Sequence, residues 1–295
     1  MILEVNDRLV EEAVLGAAAD ERRFHREREA AYSTSDRDAR ERAFAELHRR
    51  WFCELGLDRP IRAALGEHPA FAATVSRCAV SAAARAAEEG AELFVRADLP
   101  EGAERRRLVV RLRARTLLDE TAALALLRAE FLHVADMLDP SFGYQPRLPP
   151  ASAGPTEDRL LLERYGAAWS ATVVGRLVRR GQLPPAARDR ALARFLAAFP
   201  MFKGDPEPAF GRFFGARPSH AEMVRFAQAP RAETLAPNDR GSRCPLCALP
   251  SYSFEEVRDA RVRAAIASDF PEWNARHHAC PQCADLYRAR AAPCS

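Results

Sequence analysis

Residues 121–140 read TAALALLRAEFLHVADMLDP. Ala, Leu, Glu and Arg dominate, all residues that lose little on entering a helix. Thr116 or Asp119 can cap the start, and Pro140 lies just past the end. At about 100° per residue, Leu124, Leu127, Phe131, Val134 and Leu138 form one apolar stripe for a core. Ala129, His133 and Asp136 fall on the other side, with Glu130 at its edge. Leu126 and Met137 flank His133 there, so the second face is not simply a wet charged surface. Ala122, Ala125 and Ala129 are small enough to let another element approach closely. This pattern predicts a helix buried on two sides that keeps polar groups at a site. The plainer alternative is an amphipathic helix whose Glu, His and Asp meet solvent.

Working outward, the period changes upstream. Residues 92–96 (ELFVR) and 107–115 (RLVVRLRAR) read as two strands, the second alternating apolar residues with Arg as a half-buried antiparallel strand does. Residues 1–90 read as helical: one helix capped by Asp36 and running to about Glu54, a short one at Ile61–Leu65, and an Ala-rich one from Phe71 to Glu88. His25 lies in the all-round charged run RRFHREREA, a surface pattern. Downstream, a Pro- and Gly-rich loop precedes a long helix opening at Pro155 and ending near Gly181. Short helices between prolines fill 184–229, with His220 in the first turn of the last. The fold class expected is α+β and mostly helical, with a small antiparallel sheet before the 119–138 helix. The boundaries expected are 1–90 for a helical N-terminal region, 91–230 for the core, 231–240 for a linker and 241–295 for a small C-terminal domain.

Composition narrows the function classes. The apolar fraction of 48% is ordinary for a globular chain, and a net charge of +3 is too small to argue for nucleic acid or membrane. The N-terminus is charged early, without a signal-peptide core, and no apolar run is long enough to span a bilayer. These features place the expected protein in the cytoplasm.

Of seven cysteines, four form two matched pairs, Cys244-Pro-Leu-Cys247 and Cys280-Pro-Gln-Cys283. Each pair puts two thiolates on one tight turn. Four thiolates in tetrahedral array make a closed structural zinc site, with iron in a rubredoxin-like shell as the minor alternative. His277 and His278 are nearby, but the four Cys already complete the shell. Ser253-Phe-Glu-Glu256 reads as a capping box opening a helix to about Ala267, and another helix follows Cys283. The layout expected is zinc-ribbon-like or treble-clef-like. Cys53 and Cys78 read as buried thiols and Cys294 as loose.

The first helix also carries a chemical pattern. Ala129-Glu130-Phe131-Leu132-His133 is one substitution, His at position 129, from H-E-x-x-H, in which two His one helical turn apart hold zinc and Glu is the general base. With two strands before it, this stretch resembles the active-site helix of zincin-type metallopeptidases over roughly residues 90–180. That resemblance implies hydrolysis of a peptide or protein substrate by zinc-bound water, with Glu130 as base and His133 as ligand. It also implies a third ligand from the following helix. Glu163 lies there among the small residues Gly166, Ala167 and Ser170; Glu157 and Asp158 compete as first-turn acids, and an ion pair with Arg159 is the competing role for Glu163. Ala129 puts a methyl where a ligand belongs, so a catalytic zinc is expected only with His at 129. The chain then reads as an engineered inactive variant or a natural pseudoenzyme. From another class comes a non-catalytic helical adaptor that binds a protein or nucleic acid through its zinc ribbon; net charge does not favour the nucleic acid.

Overall fold

The computed structural model describes residues 1–17, 21–150, 154–231, 242–251, 253–273 and 278–291. The chain divides into two compact units, Met1–Gln228 and Ala229–Ser295.

The first unit opens with β1 (Ile2–Val5) and continues through α1 (Asp7–Ala17), α2 (Glu21–Tyr32), α3 (Arg37–Glu54), α4 (Asp58–Gly66) and α5 (Ala70–Thr74). Then come β2 (Arg77–Ala82), β3 (Gly90–Val95), β4 (Arg106–Leu112), α6 (Ala114–Leu118) and α7 (Glu120–Leu138). The sheet order is β1-β2-β4-β3. β3 and β4 pair antiparallel, Gly90 opposite Arg111 and Val95 opposite Arg106, in the stretches where the sequence predicts two strands. β1–β2 and β2–β4 are parallel, so the sheet is mixed rather than antiparallel. Two of its strands lie in the stretch read as wholly helical. β2, RCAVSA, has no aromatic residue, and its Ala content imitates a helix. Its partners are distant in sequence, and local periodicity carries no trace of such pairing. The sheet's inner face presents Cys78, Val80, Leu108, Val110 and Leu112, all buried. Its outer face is charged: Glu4 bridges Arg77 (2.7 Å) and Arg107 (3.0 Å) across three strands, and Arg111 meets Glu92 at 3.1 Å.

The helix α7 starts where its side chains require. Asp119 accepts from the Ala122 N–H at 3.0 Å, satisfying one of the orphan donors of the first turn. The helix is buried on two sides. Leu127, Phe131 and Val134 enter one core with β2, β4, α1, α3 and α4, while Leu132 enters a second core with Ala129 and Met137 packed against it. Losing the fully buried Phe131 ring to Ala would cost roughly 3–5 kcal/mol.

The second core is built by α8 (Pro155–Arg179), α9 (Ala187–Ala198), α10 (Glu207–Phe213) and α11 (His220–Gln228). Phe195, Phe199, Phe210, Phe213 and Phe226 fill it and are fully buried. α8 crosses the segment after α10 at Gly175, where a Cβ would stand 2.1 Å from the Gly215 nitrogen. Only a residue without a side chain allows that approach.

The second unit contains β5 (Ser242–Arg243), β6 (Pro250–Ser251), α12 (Ala260–Asp269) and α13 (Pro281–Ala291). Asp259, not Ser253, caps α12: its carboxylate accepts from the Arg261 N–H at 2.8 Å. Glu255 is instead bridged to Ala279 in an isolated antiparallel pair. The capping-box reading fails because Glu255 is committed to extended pairing with the second knuckle. Val262, Ile266, Trp273, Ala284 and Tyr287 form a small core around the cysteines.

Among the described residues no helix is long and apolar enough to cross a membrane.

Candidate metal centre

The first cysteine pair sits on the turn between β5 and β6. The Ala248 N–H donates to the Cys244 carbonyl at 2.8 Å, and the Cys244 N–H to the Leu249 carbonyl at 2.9 Å. These bonds fold residues 244–249 into a knuckle and force Ala248 to a φ of 57°, the left-handed region an L side chain avoids. The Arg243 guanidinium donates to the Ala248 carbonyl at 2.9 Å, which holds that conformation in place. The second pair flanks the start of α13: Cys280 precedes it, Pro281 is its first residue, and Cys283 lies in its first turn. Pro281 suits that position because its missing N–H would have had no helical partner.

The four Sγ atoms lie within 4.8 Å of one another. Cys247 Sγ and Cys280 Sγ are 3.9 Å apart. A tetrahedral zinc with bonds of about 2.3 Å spaces its sulfurs by about 3.8 Å, so the donor set fits zinc in number, type and spacing. Cys244, Cys280 and Cys283 are buried and Cys247 is the open member. Burial alone would raise the Cys244 thiol, but N–H groups of Cys280, Cys247 and Leu246 outweigh it and bring the thiol down to about 6. Burial and the crowding of neighbouring sulfurs push Cys280 and Cys283 up. One thiolate is thus favoured by the backbone, and the full set needs the charge of a cation.

The N-terminal unit treats its candidate residues differently. Glu130 turns toward the start of β3, where its carboxylate accepts from the Ala91 N–H at 3.2 Å. Gly90 makes room for it, since a Cβ there would lie 3.2 Å from the carboxylate. Burial raises the Glu130 carboxyl, opposed by that N–H and by the charge of Arg194. The His133 ring packs edge-on against Trp169, centroids 4.9 Å apart. Burial lowers it to about 4, and the charges of Asp136 and of Arg176 and Arg194 pull in opposite directions on it. His133 is therefore neutral at pH 7. Glu163 is exposed and pairs with Arg159 at 3.5 Å along its own helix, the competing role weighed for it. Glu157 and Asp158 stay on the exposed first turn of α8. Among the described residues, the cysteine quartet is the only group of three or more His, Cys, Asp or Glu side chains placed to hold one ion.

The acid one helical turn beyond His133 has another task. Asp136 receives both Arg176 Nη1 at 2.7 Å and Nη2, and Trp169 Nε1 donates to it at 2.8 Å. Asp136 and Arg176 are nearly closed to solvent, at 9% and 8% exposure, so this pair clamps α7 to α8 in a place where either charge alone would be costly. A buried acid demands a partner, and Arg176 among the apolar residues of α8 was the available signal for it. His220 is buried rather than a surface residue: its Nδ1 lies 2.8 Å from the Tyr165 hydroxyl, and Phe142 and Tyr144 close over its ring. Cys53 is exposed rather than buried, because the core-facing stripe of α3 runs through Leu47, His48, Trp51 and Phe52 and misses it. Cys78 is fully buried, which pushes its thiol up to about 12. His278 is exposed; His277 and Cys294 lie outside the described residues.

Comparison with family models, with curated proteins and with solved structures gave no match.

Proposed function

We infer that this protein is a zinc-braced adaptor: a binding protein whose C-terminal unit folds around one structural zinc on Cys244, Cys247, Cys280 and Cys283. The observation that carries this reading is the contrast in ligand geometry. Four sulfurs meet within 4.8 Å, while Glu163 is spent on Arg159 and position 129 offers a methyl. A closed four-thiolate shell leaves zinc no open position for water, so its contribution is folding energy rather than catalysis. A knuckle between two short strands, joined to a second knuckle at a helix start, supports a treble-clef-like arrangement.

The partner favoured is a protein. Much of the basic charge of this unit is already used: Arg258 pairs with Glu256, Arg288 with Glu255 and Asp285, and Arg290 with Asp269. Nucleic-acid binding draws its affinity from cations facing phosphates, and each of these three arginines already has a carboxylate beside it.

One observation favours the second reading, a zincin-like hydrolase silenced at position 129. Glu130, with its raised pKa, and the neutral His133 share one face of α7 and feel one cation, Arg194. The test is zinc content and peptide cleavage of the parent and of Ala129→His. The adaptor reading expects about one equivalent of zinc in both and no cleavage in either, since two His without a third ligand hold zinc poorly. A second equivalent in Ala129→His, with chelator-sensitive cleavage lost again on Glu130→Gln, would install the hydrolase reading instead.

A further inference from the structure

A cleft of about 250 Å³ opens in the first unit where α4, α7, α8 and the segment before α11 meet, and its lining includes Glu67, Asp136 and Asp139. Glu67 and Asp136 are engaged through both carboxylate oxygens, and Asp139 through Oδ1 alone. Arg128 grips Glu67 with two nitrogens in three bonds, at 2.8, 3.1 and 2.7 Å, and Gln182 adds a fourth at 2.8 Å. Arg176 and Trp169 occupy Asp136. The Ser141 N–H and hydroxyl donate to Asp139 at 2.8 and 2.7 Å.

The cations of the same cleft are in the opposite condition. Arg180 and Arg217 line it, and neither guanidinium has a hydrogen-bond or ion-pair partner among the described residues. His68 lines it too, stacked on Phe71 with centroids 5.0 Å apart, and its ring nitrogens also lack a partner among the described residues. Among the described residues Asp139 Oδ2 stays open and feels the charge of Arg217, but two guanidinium groups and an imidazole without hydrogen-bond partners, beside two fully engaged acids, describe a site for an anion with several acceptor oxygens.

We propose that this cleft binds a phosphate group, as inorganic phosphate or a small phosphate monoester, through Arg180, Arg217 and His68. Two guanidinium forks and an imidazole lining one cleft from three segments of the chain offer donors enough for a tetrahedral oxyanion, whose oxygens point in separate directions. A carboxylate is planar and is filled by one fork. The volume is smaller than the roughly 300 Å³ at which drug-sized ligand pockets begin, so the ligand is the phosphate head with little attached. This site is independent of the adaptor reading and of the cysteines.

The experiment is calorimetric titration of the full-length, zinc-loaded protein at low salt with inorganic phosphate, glycerol phosphate and succinate. Saturable binding of one phosphate is expected. Arg180→Gln and Arg217→Gln should each weaken it about tenfold, and the double variant should abolish it, because each removes charged hydrogen bonds to the ligand. Arg190→Gln, an exposed arginine on α9 outside the cleft, should change nothing. Both cleft arginines are exposed, so the variants should fold, and an unchanged circular dichroism spectrum checks this. Tighter binding of glycerol phosphate than of phosphate would identify the monoester as the natural form, and the reverse order the free ion. Absence of saturable heat up to about 10 mM, succinate binding as well as phosphate, or binding indifferent to both arginines would each overturn the proposal. Arg180 would then serve only to offset the carbonyls at the end of α8, visible as a lower melting temperature without any ligand effect.

Discussion

The C-terminal unit and the α7 region use similar residue types to opposite ends. In the first, four thiols converge within 4.8 Å and their alternatives are few, since a buried sulfur cluster has little else to bind. In the second, each acid has found a partner other than a metal: Glu130 the Ala91 N–H, Asp136 the Arg176 fork, Glu163 its neighbour Arg159. The difference teaches what a metal centre requires. Ligands on tight turns bring their own geometry, whereas ligands on separate long helices depend on packing that can serve another purpose.

The largest effect that would sharpen this comparison comes from the cysteines. Structural zinc contributes on the order of 10–16 kcal/mol of apparent folding energy in small metal domains. Cys247→Ser, or a strong chelator, should unfold the C-terminal unit and leave the helical unit's cooperative melting intact. Differential scanning calorimetry should show one transition lost and one retained; a fully folded metal-free tail would break the contrast. Next in size is Asp136→Ala. It leaves Arg176 buried without its partner and should destabilise the first unit by about 3–5 kcal/mol in urea, with zinc content unchanged. Lost zinc in that variant would mean that Asp136 is not merely a clamp.

Acid should act next. The folded His133 titrates near 4, below its ordinary value of 6.5, so the unfolded chain takes up the proton first. Stability contributed by neutral His133 is complete above about 6.5 and is lost as pH falls toward 4, by up to about 3 kcal/mol. His68 and His220 are lowered by burial and add in the same direction. The readout is therefore the difference from His133→Gln, whose stability between those pH values should fall less steeply. A smaller change tests the knuckle. Ala248→Gly should relieve the left-handed strain and stabilise the metal-loaded C-terminal unit by about 0.5–1 kcal/mol, measured by resistance to a competing chelator. The smallest effect belongs to Glu163→Gln, an exposed side chain expected to alter stability by no more than about 0.5 kcal/mol and metal content not at all. Lost metal there would reopen the α7–α8 region as a metal site.

Much was determined by sequence alone because its cause is local. Asp119 and Asp36 cap the helices that follow them, and the alternation of Arg with Leu and Val sets the exposed and buried faces of β4. The paired C-P-x-C turns carry the ligand count and the ligand type within a few residues each. Tertiary structure decided the rest. The parallel pairing of β1 with β2 and of β2 with β4 joins segments far apart in the chain, and an Ala-rich strand looks helical until its neighbours are known. The fate of Glu130 and His133 depended on what packs against α7: the start of β3 gives Glu130 the Ala91 N–H, and α8 sets Trp169 against the His133 ring. The Asp136–Arg176–Trp169 cluster and the second core hold α8 there, with contacts that no short window of sequence contains.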